Sequence, residues 1–145
     1  MARPHLLPGD LPQVKTAGIT TVVSLLEPGE AATVGLANEA EHCAALGLTF
    51  ISHPIRDMQL PDPAAFAGFA ATIASRLRAG DRIAIHCHAS IGRSGMLACT
   101  VMGAFGHDAP SALAHVSLRR GTKVPDTAAQ TAFIHSMIAA QHPQA

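Results

Sequence analysis

The sequence contains no tryptophan and no tyrosine, and its five phenylalanines leave aromatics at 3% of 145 residues. A core must therefore be assembled from alanine, leucine, valine and isoleucine, and 28 alanines are available for it. The same lack removes the Trp and Tyr platforms on which single-stranded nucleic acids stack. Charge of one sign is not in excess either, because ten Lys+Arg balance ten Asp+Glu. The densest basic spots are Arg76/Arg78 and Arg119/Arg120, far short of the clusters of nucleic-acid or anionic-membrane binders. Neither a nucleic-acid nor a membrane partner is expected. No apolar run approaches the roughly 18 residues of a membrane-spanning helix. The opening Met1-Ala2-Arg3-Pro4-His5 lacks the apolar stretch of a secretion signal. Three cysteines make an odd set without framework spacing, so reduced thiols in a cytoplasmic location are the expectation.

What is present is a globular composition, 48% hydrophobic and 14% charged, without repeats, low-complexity tracts or linkers. Its length suits one domain spanning 1–145, able to bury enough surface to fold without a disulfide or a structural metal. Three short β-branched apolar runs, Ile19–Leu25, Leu48–Ser52 and Arg82–Cys87, predict strands covered on both faces. Helical patterns are predicted over Asp10–Thr16, Val34–Leu46, Pro63–Ala79, Ser94–Phe105, Pro110–Arg119 and Asp126–Gln141. Asp62 and Pro63 mark the start of the third of these and Gly80 its stop. An additional edge strand within Met1–Gly9 would be short, given Pro4 and Pro8. Strands alternating with helices imply an α/β fold, a central, mostly parallel sheet flanked by helices. Ligands of such sheets bind at the carboxyl ends of the strands, which here means just after Cys87.

The third strand runs into His86-Cys87-His88-Ala89-Ser90-Ile91-Gly92-Arg93-Ser94-Gly95, and a helix follows. A tight strand-to-helix loop turns successive backbone N–H groups inward, and the helix dipole adds to them, so the loop makes an anion site. A cysteine at its base is stabilised as the thiolate and is placed for in-line attack on a bound phosphorus. Arg93 can hold two non-bridging oxygens with its planar fork and stabilise the charge of the transition state. Ser94 can donate a hydrogen bond to the sulfur as it leaves in a second step. Gly92 supplies backbone freedom.

This stretch resembles the signature of the cysteine-dependent protein-tyrosine and dual-specificity phosphatases: His-Cys, five residues, Arg, then Ser or Thr. The likeness extends over nearly the whole chain. It takes in the upstream Pro54-Ile55-Arg56-Asp57 and the downstream Arg120-Gly121, Val124-Pro125-Asp126-Thr127 and Gln130. It implies a phosphatase-type sandwich, no cofactor, no metal and a phosphocysteine intermediate on Cys87. The substrate would be a phosphorylated protein or peptide carrying phosphotyrosine, with phosphoserine and phosphothreonine also open. Residues 88 to 93 (His88, Ala89, Ser90, Ile91, Gly92, Arg93) would form the phosphate-binding loop. The family often has glycine where Ser90 stands, and a serine fits there if its φ is unremarkable. A general acid that later activates water is implied upstream. Asp57 matches the family's Pro-Ile-x-Asp pattern, whereas Asp62 already has a helix to cap. No Trp precedes either aspartate, so the Trp-Pro-Asp loop of larger relatives is absent. Gln130 matches a glutamine that positions the hydrolytic water, but Thr127-x-x-Gln130 is equally a capping box.

Other uses of the same residues are open on the sequence. His86 and His88 flank a cysteine as zinc ligands do, but alternate strand residues point to opposite faces and no fourth ligand follows. His86 is expected to brace the loop by hydrogen-bonding backbone, and His88 to face substrate. His53 lies near the acid segment. Cys43 and Cys99 are expected in the core, where either could trap an oxidised Cys87. Arg56, Arg119 and Arg120 are expected to be solvated or salt-bridged. Inositol phosphates, phosphoinositides or RNA ends call for extra lysine or arginine in the loop, and none is there. A non-catalytic phosphate-binding module would be expected to have lost the cysteine, arginine or acid. Sulfur-transfer loops are usually one residue shorter, and low-molecular-weight phosphatases carry the motif near the N-terminus. The oligomeric state is not legible.

Overall fold

A computed structural model describes residues 1–5 and 7–143. The three β-branched runs form a parallel sheet of order β2-β1-β3, with β1 Thr21–Ser24, β2 Thr49–Ser52 and β3 Ile83–His86. Val23 of β1 is in register with Ile51 on one side and Ile85 on the other. Successive strand residues point to opposite faces, so Val22 and Val23, both with no exposed surface, anchor separate cores. Val22 packs with Leu7, Leu11, Leu26, Leu36 and Cys43. Val23 packs with Phe66, Ile73, Met96, Leu97 and Ile134.

Helices α1 (Leu7–Thr16) and α3 (Glu39–Ala45) cover the first face. Helices α4 (Pro63–Arg78), α5 (Gly92–Ala104), α6 (Ala109–Arg120) and α7 (Ala128–Gln141) cover the second. Helix α5 packs on α4, α6, α7 and β3, so the loop that opens it is held from several sides. Asp62 caps α4 by accepting from the Ala65 amide at 2.9 Å, and Thr127 caps α7 through the Gln130 amide at 3.1 Å. Among the described residues no helix is long and apolar enough to cross a membrane.

Four expectations change. Each strand is shorter than its apolar run, and only β1 is buried along its whole length; β2 and β3 are edges with partly exposed residues. Helix α1 opens at Leu7, ahead of Asp10, whose carboxylate instead accepts from the His5 amide at 2.7 Å. Among the described residues of Met1–Gly9 there is no strand, since Leu7 already opens that helix; Leu6 lies outside the described residues. One helix over Val34–Leu46 is replaced by α2 (Pro28–Thr33) and α3. Gly35, at φ +77°, takes the left-handed conformation that ends a helix. Pro28 starts α2 at its first position, where its missing N–H costs nothing.

Phe66 is fully buried and meets Phe133 edge-on, with ring centroids 5.5 Å apart. Phe66→Ala is expected to cost about 3–5 kcal/mol, read from the urea unfolding midpoint. A loss under about 1 kcal/mol would show that this ring does not centre the core.

Candidate active site

The loop between β3 and α5 is shaped from behind. Arg3 Nη1 donates to the His88 carbonyl at 3.0 Å. Arg120 donates through Nη2 to the Ala89 carbonyl at 3.1 Å and through Nε to the Ser90 carbonyl at 3.0 Å. In a trans peptide the N–H points away from the preceding C=O, so the amides of Ala89, Ser90 and Ile91 are turned to the opposite side. Among the described residues none of the amides from His88 to Ser94 bonds a backbone carbonyl. With the positive end of α5 they form an anion cradle. Arg120 was expected to be solvated or salt-bridged; instead it is a loop brace, because carbonyls turned outward need donors.

Ser90 departs from expectation. Its φ is +58°, in the left-handed region that costs a non-glycine residue about 1–2 kcal/mol. Its Oγ accepts from the Cys87 amide at 3.3 Å, a bond that glycine could not make.

Cys87, Arg93, Asp57, His88, Ala89 and Gly92 line one cleft of about 150 Å³, with Met58, Asp126 and Gln130 completing it. Arg93 is 2% exposed. Glu30, on α2, takes it in a bidentate pair, with Nη1 to Oε1 and Nη2 to Oε2 both 2.7 Å. Nη1 also donates to the Ile55 carbonyl at 2.9 Å, and Asp57 Oδ1 lies 3.1 Å from Nη2. Burial opposes the guanidinium charge, but the Glu30 hydrogen bonds, with Cys87 and Asp57 nearby, outweigh it and raise the Arg93 pKa. Glu30 is shifted the other way, held below its ordinary value chiefly by the Arg93 hydrogen bond.

Behind Cys87, His86 is wholly buried. Its Nε2 lies 2.7 Å from Glu39 Oε2, and its Nδ1 lies 3.3 Å from the Cys87 carbonyl. The expected backbone contact is therefore accompanied by a carboxylate that sequence reasoning missed. Gln130 serves two ends at once. Its Oε1 accepts from the amides of Asp126 and Thr127 at 3.0 and 3.1 Å. Its Nε2 is buried without a partner, and the residue belongs to the cleft lining. Ser94 Oγ is buried and has no hydrogen-bond partner, so the expected bond to the sulfur is not formed. Ser94 lines a 340 Å³ cavity behind the loop, together with Ser90 and Arg120.

The competing residues go elsewhere. Asp62 caps α4. His53 stacks on Phe69, with ring centroids 3.9 Å apart. Cys43 and Cys99 are buried free thiols, pushed up to about 11 and about 12 by desolvation, with Glu39 adding to the shift at Cys43. Of the residues the sequence did not single out, Glu30 had one signal: Glu27-Pro28 followed by a glutamate, a helix-start pattern. Glu39 and Arg3 had none.

The family described as polymorphic toxin system, DSP-PTPase phosphatase, matches residues 7–104. The chain is 29% identical over 116 residues to protein tyrosine phosphatase domain-containing protein 1 of Mus musculus, covering 74% of this chain and 15% of that protein. The chain thus spans only a small part of that relative's length. Its fold is that of kinase associated phosphatase with the catalytic-site cysteine replaced by serine: TM-score 0.82, 20% identity, 94% of this chain and 78% of that one. The active form of Tk-PTP superposes at TM-score 0.78 with 25% identity, over 94% of this chain and 88% of that one.

The Glu30–Arg93 pair sets a pH dependence. The folded-state pKa of Glu30 is depressed from its ordinary value of 4.5. Its contribution to stability is therefore complete above that value and lost as pH falls through the lower folded-state pKa. Urea midpoints of wild type and Glu30→Gln should differ most at neutral pH, and the gap should narrow as pH falls below the ordinary value of 4.5. A gap that persists unchanged in acid would contradict the pairing.

Proposed function

Since the chain belongs to the DSP-PTPase phosphatase family and is a phosphatase of that fold, we propose that its substrates are phosphorylated proteins or peptides. Phosphotyrosine is the main target, with phosphoserine and phosphothreonine also accepted. Hydrolysis needs no metal and runs through a phosphocysteine on Cys87. The observation that carries this is the meeting of Cys87, Arg93 and Asp57 in one cleft under a ring of unpaired amides.

The phosphoryl oxygens enter the amide cradle. Arg93 offers them its Nε–H, which makes no hydrogen bond among the described residues, and the Nη2 edge that lies 3.1 Å from Asp57 Oδ1. Substrate thus competes for the group that holds Asp57 and frees that carboxyl. Cys87 Sγ attacks phosphorus in line, the P–O bond breaks, and Asp57 delivers a proton to the leaving oxygen. In the second step water forms the new O–P bond, the S–P bond breaks, and the sulfur leaves as thiolate. Gln130 Nε2, a buried donor without a partner, orients that water, and the unpaired Ser94 hydroxyl is available to the departing thiolate.

The cleft lining sets two carboxylates, Asp57 and Asp126, beside one guanidinium, that of Arg93, and holds no lysine, a composition that disfavours inositol phosphates, phosphoinositides and RNA ends. Met58, 57% exposed at its rim, suits the apolar shaft of a phosphorylated side chain. The three free thiols suit a reducing compartment, and we place the protein in the cytoplasm.

Hydrolysis of para-nitrophenyl phosphate in the presence of EDTA tests this. Wild type should turn over, Cys87→Ser should be inactive, and Asp57→Asn should lose about 10²–10⁴-fold. Phosphotyrosyl peptides should be cleaved faster than inositol phosphates. Full activity in Cys87→Ser would overturn the mechanism, and a preference for inositol phosphates would overturn the substrate class.

A further inference from the structure

Gly92 opens α5 on the floor of the cleft. A Cβ placed there would lie 2.5 Å from Asp126 Oδ2 and 2.9 Å from Gln130 Nε2. Only glycine lets these two atoms converge so closely over the start of the helix. The glutamine is fixed by its other end, because Oε1 accepts two backbone amides, and this fixes which terminal atom is the nitrogen. The amide nitrogen left over is buried and unpartnered. A buried donor in that state requires a water or a ligand. Beside it, the exposed carboxylate of Asp126 makes no hydrogen bond or ion pair among the described residues. A donor and a free acceptor therefore flank one position in the cleft that holds the nucleophile.

We propose that Asp126 is the general base of the second half-reaction. This rests on the phosphocysteine mechanism above and divides its proton transfers between two carboxylates. Gln130 Nε2 donates to the oxygen of a water, and Asp126 Oδ2 accepts that water's proton. As the proton moves, the water oxygen bonds to phosphorus and the S–P bond breaks, with its electron pair returning to Cys87 Sγ. The products are inorganic phosphate, thiolate and a protonated Asp126, which loses its proton directly to solvent. Asp57 is left with the first half-reaction only. It reaches the cleft from the segment after β2, beside Arg93, whereas Asp126 precedes α7 and shares its neighbourhood with the water-orienting glutamine.

Rapid-mixing kinetics with para-nitrophenyl phosphate separates the two carboxylates, because kcat/KM reports formation of the phosphocysteine and kcat also reports its breakdown. In Asp126→Asn, kcat should fall by at least about tenfold, as loss of a general base requires. Its kcat/KM should stay within about twofold of wild type, which also certifies a folded site. Nitrophenolate should appear as a burst approaching one equivalent of Cys87. Asp57→Asn should lower kcat/KM and give no burst. Asp126→Glu, which keeps a carboxylate, should recover part of kcat. An unchanged kcat in Asp126→Asn, or equal losses in kcat and kcat/KM, overturns the proposal while an active wild type leaves the phosphatase mechanism standing. A wild type that forms no phosphocysteine overturns both.

Discussion

A guanidinium as enclosed as that of Arg93 needs a partner, and Glu30 supplies it with two parallel hydrogen bonds of 2.7 Å. Glu30 is itself only half-buried, but removing it would leave the enclosed Arg93 charge without this partner, the costly way to break such a contact. Much of the local architecture can be traced to that contact. It fixes the short helix α2 against the start of α5, and it aims the remaining Arg93 hydrogens at the cleft. The Ile55 carbonyl adds a third anchor, which ties the segment after β2, and with it Asp57, to the same side chain. Three parts of the chain far apart in sequence thus meet at one planar group. Its fork geometry is what lets it hold a carboxylate on one edge and still offer donors on another.

The loop between β3 and α5 depends on a second principle, that every carbonyl turned outward needs a donor. Arg3 and Arg120 meet that need for His88, Ala89 and Ser90, and the amides on the other side are left for an anion. The cost of the tight loop shows at Ser90, whose positive φ is tolerated in exchange for a hydrogen bond to the Cys87 amide. His86 and Glu39 complete the support from below, a buried pair that fixes the ring next to Cys87. The residues of the cleft are therefore held by backbone and paired charges rather than by a large aromatic core, in keeping with a chain that has no tryptophan or tyrosine.

The α/β frame was legible because β-branched runs and helix punctuation are local signals. Asp62 and Thr127 sit where their spacing places them, and Cys87 and Arg93 stand at the strand-to-helix turn their pattern implies. Helix α2 was not legible. It has six residues and no buried one, so it leaves no hydrophobic period to detect. Glu30 was lost with it. Glu39 reads as an ordinary surface residue of a helix, and becomes buried only because His86 arrives from 47 positions away. Arg120 looks like half of a solvated pair until the loop 30 residues earlier offers it carbonyls. Gln130 was ambiguous in sequence for a physical reason, since its oxygen caps a helix while its nitrogen is left unpartnered in a residue that lines the cleft. What the sequence concealed are long-range polar pairings, which have no periodicity.

In the proposed mechanism Cys87 itself carries the phosphoryl group during turnover. Rapid acid quench of the working enzyme, followed by peptide mass analysis, tests it most directly. One phosphoryl group is expected on the peptide containing Cys87, present during turnover, absent once substrate is exhausted, and absent from Cys87→Ser. Steady turnover with no phosphoryl group on that peptide at any quench time, or with the group on another residue, would contradict it.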